Sequence, residues 1–227
     1  MSGAIEAVPS AMDKAPDAVT RRLRPKDAAT IILLDCTYGE PRFLMGRRGH
    51  GHAFMPGLYV FPGGRRDRRD HALPFSRDLH PLVARRLLCE TMAKAKPSSA
   101  RALALAALRE LKEETGLVVG DPPDLSHLRY VARAVTPPGN VRRFDTRFFL
   151  LPTDEADISP SSLVDTDELQ DLRWLSFSEL SSIEVPRITA AVMHDVKSMF
   201  VPGSPIPYGL PVPYYFMRHG RFLRTQI

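Results

Sequence analysis

An α/β fold of the α+β kind, a mixed sheet covered by helices, is what the order of segments in this sequence predicts. Three observations carry it. Short apolar runs of strand length come first: "AATIILLD" (28–35), "RFLMGRR" (42–48) and "GLYVFPGG" (57–64). One long helical stretch follows, and then a second group of strands, "LRYVARAVTP" (128–137), "RRFDTRFFLL" (142–151) and "LRWLS" (172–176). A second amphipathic helix, "PRITAAVMHDVKSMF" (186–200), closes the series. Strands grouped in this way lack the regular strand–helix alternation of a doubly wound parallel sheet.

Taken in order, residues 1–26 are rich in Ala, Pro, Ser and charge without a sustained period, and read as a loose leader. Residues 27–227 then form one domain. Within it "CTYGEP" (36–41) is a turn-like hairpin link, and "HPLVARRLLCETMAKAK" (80–96) is the best helix in a basic stretch. Pro97, Ser98 and Ser99 supply start signals for the long helix, and Gly116 is a natural C-cap. Ala104, Leu105, Leu108 and Leu111 make its apolar stripe, with glutamates on much of the remaining face. The tail "VPGSPIPYGLPVP" (201–213) is too rich in proline for a central strand or a helix interior. It leads into a segment where His219–Gly220 suggests a hairpin.

Composition excludes several classes. With 227 residues, 44% of them hydrophobic, the chain can build one sizeable core. A charged fraction of 25% argues against wholesale disorder. There is no apolar run of membrane-spanning length and no signal peptide. The net charge of +5 suits an anionic partner or plain solubility, and no clustered aromatic and basic module points to nucleic acid. Cys36 and Cys89, far apart and without metal-ligand spacing, read as buried thiols of a reduced cytoplasmic protein.

The stretch "RELKEETGL" (109–117) poses the physical question. Glu110, Glu113 and Glu114 repel one another at helical spacings of three and four, near a C-terminus whose dipole is already negative. One answer is a solvated face whose acids pair with Lys112 or arginines. The other is a hard divalent cation such as Mg²⁺, which binds carboxylate oxygens and reverses the sign of the problem.

Together with "FPGGRRDRRD" (61–70), this stretch resembles the Nudix box, G-x5-E-x7-R-E-U-x-E-E-x-G-U with U aliphatic. The second half matches at Arg109, Glu110, Leu111, Glu113, Glu114, Gly116 and Leu117. In the first half Gly64 is followed after five residues by Asp70, where the family has Glu. Residues 71–108 stand where the ordinary box has seven, so a helical insertion (71–97) separates its halves.

The resemblance implies a Nudix fold, a mixed β-sheet sandwiched between α-helices, and cleavage of a diphosphate joined to a nucleoside with Mg²⁺ or Mn²⁺. Glu113 and Glu114 would hold the metal, and Glu110 would be a ligand or the base that activates water. Arg109 would orient the glutamates by ion pairing. Gly63 and Gly64 would form the turn beside metal and substrate. Glu168 is either a further assisting acid or an exposed loop acid. The insertion is expected to cap the substrate side, and a homodimer is left open.

"LMGRRGHGHAFMPGLYVFPGG" (44–64) and "TPPGNVRRFDTRFFL" (136–150) are similar to the coenzyme A and peroxisomal acyl-CoA diphosphatase branch of that family. This implies coenzyme A or acyl-CoA as substrate, with Arg47, Arg48, Arg142 and Arg143 as candidates for its phosphates. ADP-ribose or a nucleotide sugar is the alternative, and a non-catalytic nucleotide sensor a further one. Phe144, Phe148 and Phe149 read as core rather than base-stacking residues. His50, His52 and His71 read as solvated.

Overall fold

The run Ile31–Leu34 is fully or almost fully buried at the centre of one mixed sheet. The computed structural model describes residues 23–37, 39–49, 56–89, 96–156, 158, 163–201 and 203–227, and the backbone of residues 6–7. Its strands are β1 (Glu6–Ala7), β2 (Lys26–Asp35), β3 (Arg42–Arg48), β4 (Tyr59–Val60), β5 (Gly63–Arg65), β6 (Arg129–Val135), β7 (Phe144–Pro152), β8 (Leu169–Ser176), β9 (Pro213–Arg218) and β10 (Arg221–Gln226). Its helices are α1 (Pro81–Cys89), α2 (Pro97–Thr115) and α3 (Arg187–Met199).

The sheet runs β1-β10-β9-β6-β7-β2-β3-β4, with β5 also on β2 and β8 also on β3. Pairings β2–β7 and β6–β9 are parallel and the rest antiparallel, which makes the sheet mixed. Strand alternation divides the core. Ala29, Ile31, Leu33, Phe149 and Leu151 pack against α1 and α2, whereas Ile32, Leu34, Phe148 and Leu150 pack against α3. Each fully buried Ile, Leu or Phe side chain contributes about 1.5–3 kcal/mol, so both faces must be covered for the sheet to persist.

Helix α2 begins with Pro97 at its first position, after Lys96 in extended backbone, and Ser98 and Ser99 lie inside the first turn without acting as caps. It stops at Gly116, whose φ of 77° is left-handed and whose N–H donates to the Lys112 carbonyl at 3.0 Å. The predicted stripe Ala104, Leu105, Leu108 and Leu111 is buried. So, however, are Ala102, Leu103, Ala106 and Ala107, so the middle of α2 has no polar face. Alanine permits this, because it presents no side chain that would hold neighbours away.

One expectation holds at the C-terminus, and two others are corrected. The C-terminal segment adds to the sheet as expected of a hairpin: β9 pairs with β6 with Arg133 opposite Tyr214, and Tyr215 is 2% exposed. The hairpin at His219 and Gly220 does form, with φ of 49° and 72°, the left-handed pair that a two-residue hairpin turn needs. Of the corrections, the first is that the leader is not wholly apart, since Glu6 and Ala7 pair with Arg224 and Leu223 of β10. Second, Cys36 and Cys89 are exposed, one in the turn after β2 and the other at the last residue of α1.

The inserted helix α1 ends at Cys89, and residues 90–95 lie outside the described residues. Leu79, Val83 and Leu87 are buried in the cluster built on α2, and His80 stacks on Tyr208 at 4.0 Å. The amphipathic character of α1 is therefore used on the core. Replacing Leu87 with Ala should destabilise the fold by about 2–5 kcal/mol. Urea denaturation would measure this, and KM of the folded fraction should stay unchanged, the opposite of what a substrate cap would give.

Candidate active site

The site is organised by two glycines. Gly63 and Gly64 open β5 and pair with Thr30 and Ala29 of β2. A Cβ on Gly63 would lie 2.6 Å from the Ala29 carbonyl oxygen and the Thr30 Cα, and one on Gly64 would lie 2.5 Å from the Glu110 carboxyl carbon. Only glycine lets α2 approach the strand so closely. The Gly63 N–H donates to Glu114 Oε2 at 2.8 Å, which fixes that carboxylate against the turn.

Glu110 and Glu114, one helical turn apart, are joined by Glu168, the residue just before β8. One oxygen from each of these carboxyls lies within 4.8 Å of the others. Glu114 is 3% exposed. Burial pushes its carboxyl up to about 8, and Glu110 and Glu168 add to this against the Gly63 N–H and Arg48. Burial also raises Glu110, opposed by its bond to Arg109. A mutually repelling trio of carboxylates, with Glu114 buried, Glu110 half-buried and Glu168 exposed, is a hard-oxygen donor set, and it fits Mg²⁺ or Mn²⁺.

Glu113 is not in this trio. It is exposed and pairs with Arg69 at 3.0 Å and with Arg109 at 2.9 Å. Arg109 bridges four groups. Its Nε donates to Asp70 Oδ1 at 2.8 Å, its Nη1 to Glu110 at 2.7 Å and to Glu113, and its Nη2 to the Arg65 carbonyl at 3.1 Å. Asp70 is completely buried and also accepts the Asp67 N–H at 2.6 Å. It thus serves as an anchor for Arg109, and the two halves of the interrupted motif meet in space.

A cavity of about 480 Å³ opens over the trio. Ala28 and Thr30, in phase with Ile32 on the α3 face of β2, form its floor with Ile188 and Thr189 of α3. The acids enter from the opposite face of the sheet, past the glycine pair. Phe61, Phe144, Phe148 and Phe222 give the cavity an aromatic wall, and Arg48 and Arg142 stand on its lining. None of the described residues of the insertion lines it.

Of the other residues singled out in the sequence, Arg47 is exposed and lines a separate hollow with Asp165, Gln170 and Asp171. Arg143 donates to the carbonyls of Leu23 at 2.7 Å and Thr136 at 3.0 Å. Phe149 and Phe148 are core, as expected, although Phe148 also lines the cavity, and half-buried Phe144 faces it. His71 contacts Arg66, while His50 and His52 lie outside the described residues. Sequence reasoning missed Thr30, Ile188 and Phe222, because nothing local marks an apolar or hydroxyl side chain as cavity-lining. Among the described residues no helix is long and apolar enough to cross a membrane.

Residues 96–196 match the family model of the NUDIX domain. In fold the chain is similar to a NUDIX hydrolase from Alicyclobacillus acidocaldarius, with a TM-score of 0.55 and 24% identity over 80% of this chain and 99% of that one. It is also similar to the NUDIX domain of Shewanella oneidensis NrtR complexed with ADP ribose, with a TM-score of 0.50 and 14% identity over 82% of this chain and 93% of that one. No curated protein matches the chain.

The buried Glu114 generates a prediction about pH. Its folded carboxyl, at about 8, lies above the ordinary glutamate value of 4.5, so the fold favours the protonated form. That stabilisation is complete below about 4.5 and is lost as pH rises through 8. The metal-free protein should therefore melt at progressively lower temperature from pH 5 to pH 8.5. Glu114→Gln should flatten this slope and raise Tm at the alkaline end, as followed by calorimetry in EDTA. An identical slope in the variant would assign the pH dependence elsewhere.

Proposed function

We propose that the chain is a Nudix-type hydrolase that cleaves the diphosphate of a nucleoside diphosphate linked to a second moiety, with Mg²⁺ or Mn²⁺, a reading supported by the family-model match over residues 96–196. The observation that carries this reading is the trio Glu110, Glu114 and Glu168 beneath an aromatic-walled cavity. The trio would hold the ion, which supplies Lewis acidity to the phosphoryl oxygens and a lowered pKa to water. Glu110 is also suited to accept the proton of the attacking water, since burial already raises its proton affinity.

Other residues divide the remaining work. Arg109 fixes the Glu110 carboxylate and, through Asp70, the turn that carries Gly63 and Gly64. Glu113 acts as a positioning residue by pairing Arg109 with Arg69. Arg48 and Arg142 face the cavity, where they can neutralise diphosphate oxygens. The aromatic wall suits a purine base, because flat rings stack on such surfaces.

The favoured substrate is coenzyme A or an acyl-CoA, which would be split into 3′,5′-ADP and (acyl-)4′-phosphopantetheine. Support comes from the segments 44–64 and 136–150, which supply Arg48, Phe61, Arg142 and Phe144 to the cavity lining. ADP-ribose, the ligand of the Shewanella domain, is the second reading.

Purified protein should be assayed against coenzyme A, acyl-CoAs, ADP-ribose and nucleotide sugars with each metal. Hydrolysis should require the metal, and Glu114→Gln should lower kcat by roughly 100-fold or more. Undiminished turnover in that variant would sink the metal assignment. Much faster cleavage of ADP-ribose would move the substrate to the second reading.

A further inference from the structure

A second cavity, also of about 480 Å³, adjoins the first and shares Arg65, Glu110, Arg142 and Phe144 with it. Its lining is strongly basic, whereas arginines and glutamates balance in the first. Seven of its lining residues are Arg or Lys, against Asp67 and Glu110 as the acids. Three of the cations are partly neutralised: Arg109 by its carboxylates, Arg69 by Glu113 at 3.0 Å, and Arg65 by Asp67 at 4.0 Å.

The other four are not. Arg143 is held by the carbonyls of Leu23 and Thr136, which fix the guanidinium in place without cancelling its charge. Arg24, Lys26 and Arg142 have no carboxylate partner among the described residues. Their meeting is a product of the sheet. Parallel pairing sets Lys26 of β2 opposite Phe144 of β7, and the Lys26 N–H donates to the Arg143 carbonyl at 2.9 Å. The basic approaches to both strands therefore arrive at the same end of the sheet. Cations gathered in a concavity repel one another and focus a positive potential, a cost that a bound anion removes.

We infer that this second cavity is an anion subsite that takes a phosphate group carried by the substrate outside the diphosphate that is cleaved. The inference rests on the proposed function in one respect, that the diphosphate lies on the acid trio. A substrate reaching from that trio past Arg142 and Phe144 then sets a phosphomonoester among Arg24, Lys26 and Arg143. Guanidinium groups bind such a dianion with charge-assisted, often bidentate hydrogen bonds. The subsite makes the enzyme prefer a nucleotide with a further phosphate over the same nucleotide without it.

Two probes that differ by one phosphate test this: adenosine 3′,5′-bisphosphate and AMP. Their binding to the metal-loaded protein is measured by titration calorimetry for the wild type, Lys26→Ala and Arg24→Ala, with circular dichroism checking each fold. The wild type should bind the bisphosphate about tenfold tighter or more. Both variants should lose most of that advantage, and added salt should shrink it. Equal wild-type affinities, or an advantage untouched in both variants, would overturn the subsite. Inorganic phosphate that binds alongside AMP, with no advantage for the bisphosphate, would instead make the cavity a site for a free anion and overturn the substrate-borne version. Hydrolysis of coenzyme A and 3′-dephospho-coenzyme A is measured separately. A bisphosphate advantage without turnover of either fails the substrate reading alone, and equal turnover with equal binding fails the subsite alone.

Discussion

The Arg109 guanidinium lies between two parts of the chain that the insertion separates, and it binds both. On one side it holds Asp70, which is fully buried, and the Arg65 carbonyl. On the other it holds Glu110 and Glu113 of its own helix. A carboxylate buried as deeply as Asp70 needs a charged partner, and Arg109 provides a two-point contact. The pair therefore locks the turn after β5 to α2.

With that lock in place, α2 can hold an arrangement that its own electrostatics oppose. Glu110 and Glu114 sit in the last turns of the helix, where the dipole is unfavourable, and Glu114 is almost wholly out of water. The Gly63 N–H is the one hydrogen bond to the Glu114 carboxylate among the described residues. It does not offset the burial, which is why the carboxyl rises to about 8. Hydrophobic packing along the middle of α2 supplies the opposing stability. Ala102 to Leu108 are buried without interruption, so the helix cannot turn its acids outward without exposing its core surface.

Other parts of the chain serve the site from a distance. The C-terminal hairpin places Phe222 on the cavity wall, and Arg187 at the start of α3 covers the same ring at 4.7 Å. Tyr215 reaches from β9 to Asp195 on α3, and Arg224 of β10 holds the same carboxylate at 2.9 Å. These contacts fasten the hairpin to α3 and keep its aromatic ring at the cavity. None of the described residues of the insertion lines the cavity. The insertion extends the core on the other face, where α1 covers α2.

The sequence by itself determined the elements and the clustering of acids on α2. Apolar runs gave the strands, Pro97 and Gly116 bounded α2, and His219–Gly220 marked the hairpin, because each rests on local backbone and side-chain preferences. The glutamate spacing likewise marked a local conflict, since like charges repel at one helical turn. Which carboxylates converge was decided only in three dimensions. Glu168 joins Glu110 and Glu114 because β8 pairs with β3 and brings its preceding loop to the glycine turn, while Glu113 points to Arg69. The sides taken by Arg47 and Arg48 were also tertiary decisions, because neighbouring residues of a strand face opposite ways and only packing chooses which way is inward. The same holds for the basic cavity. Its charges come from the approaches to two strands far apart in sequence, and only the parallel pairing of β2 with β7 gathers them.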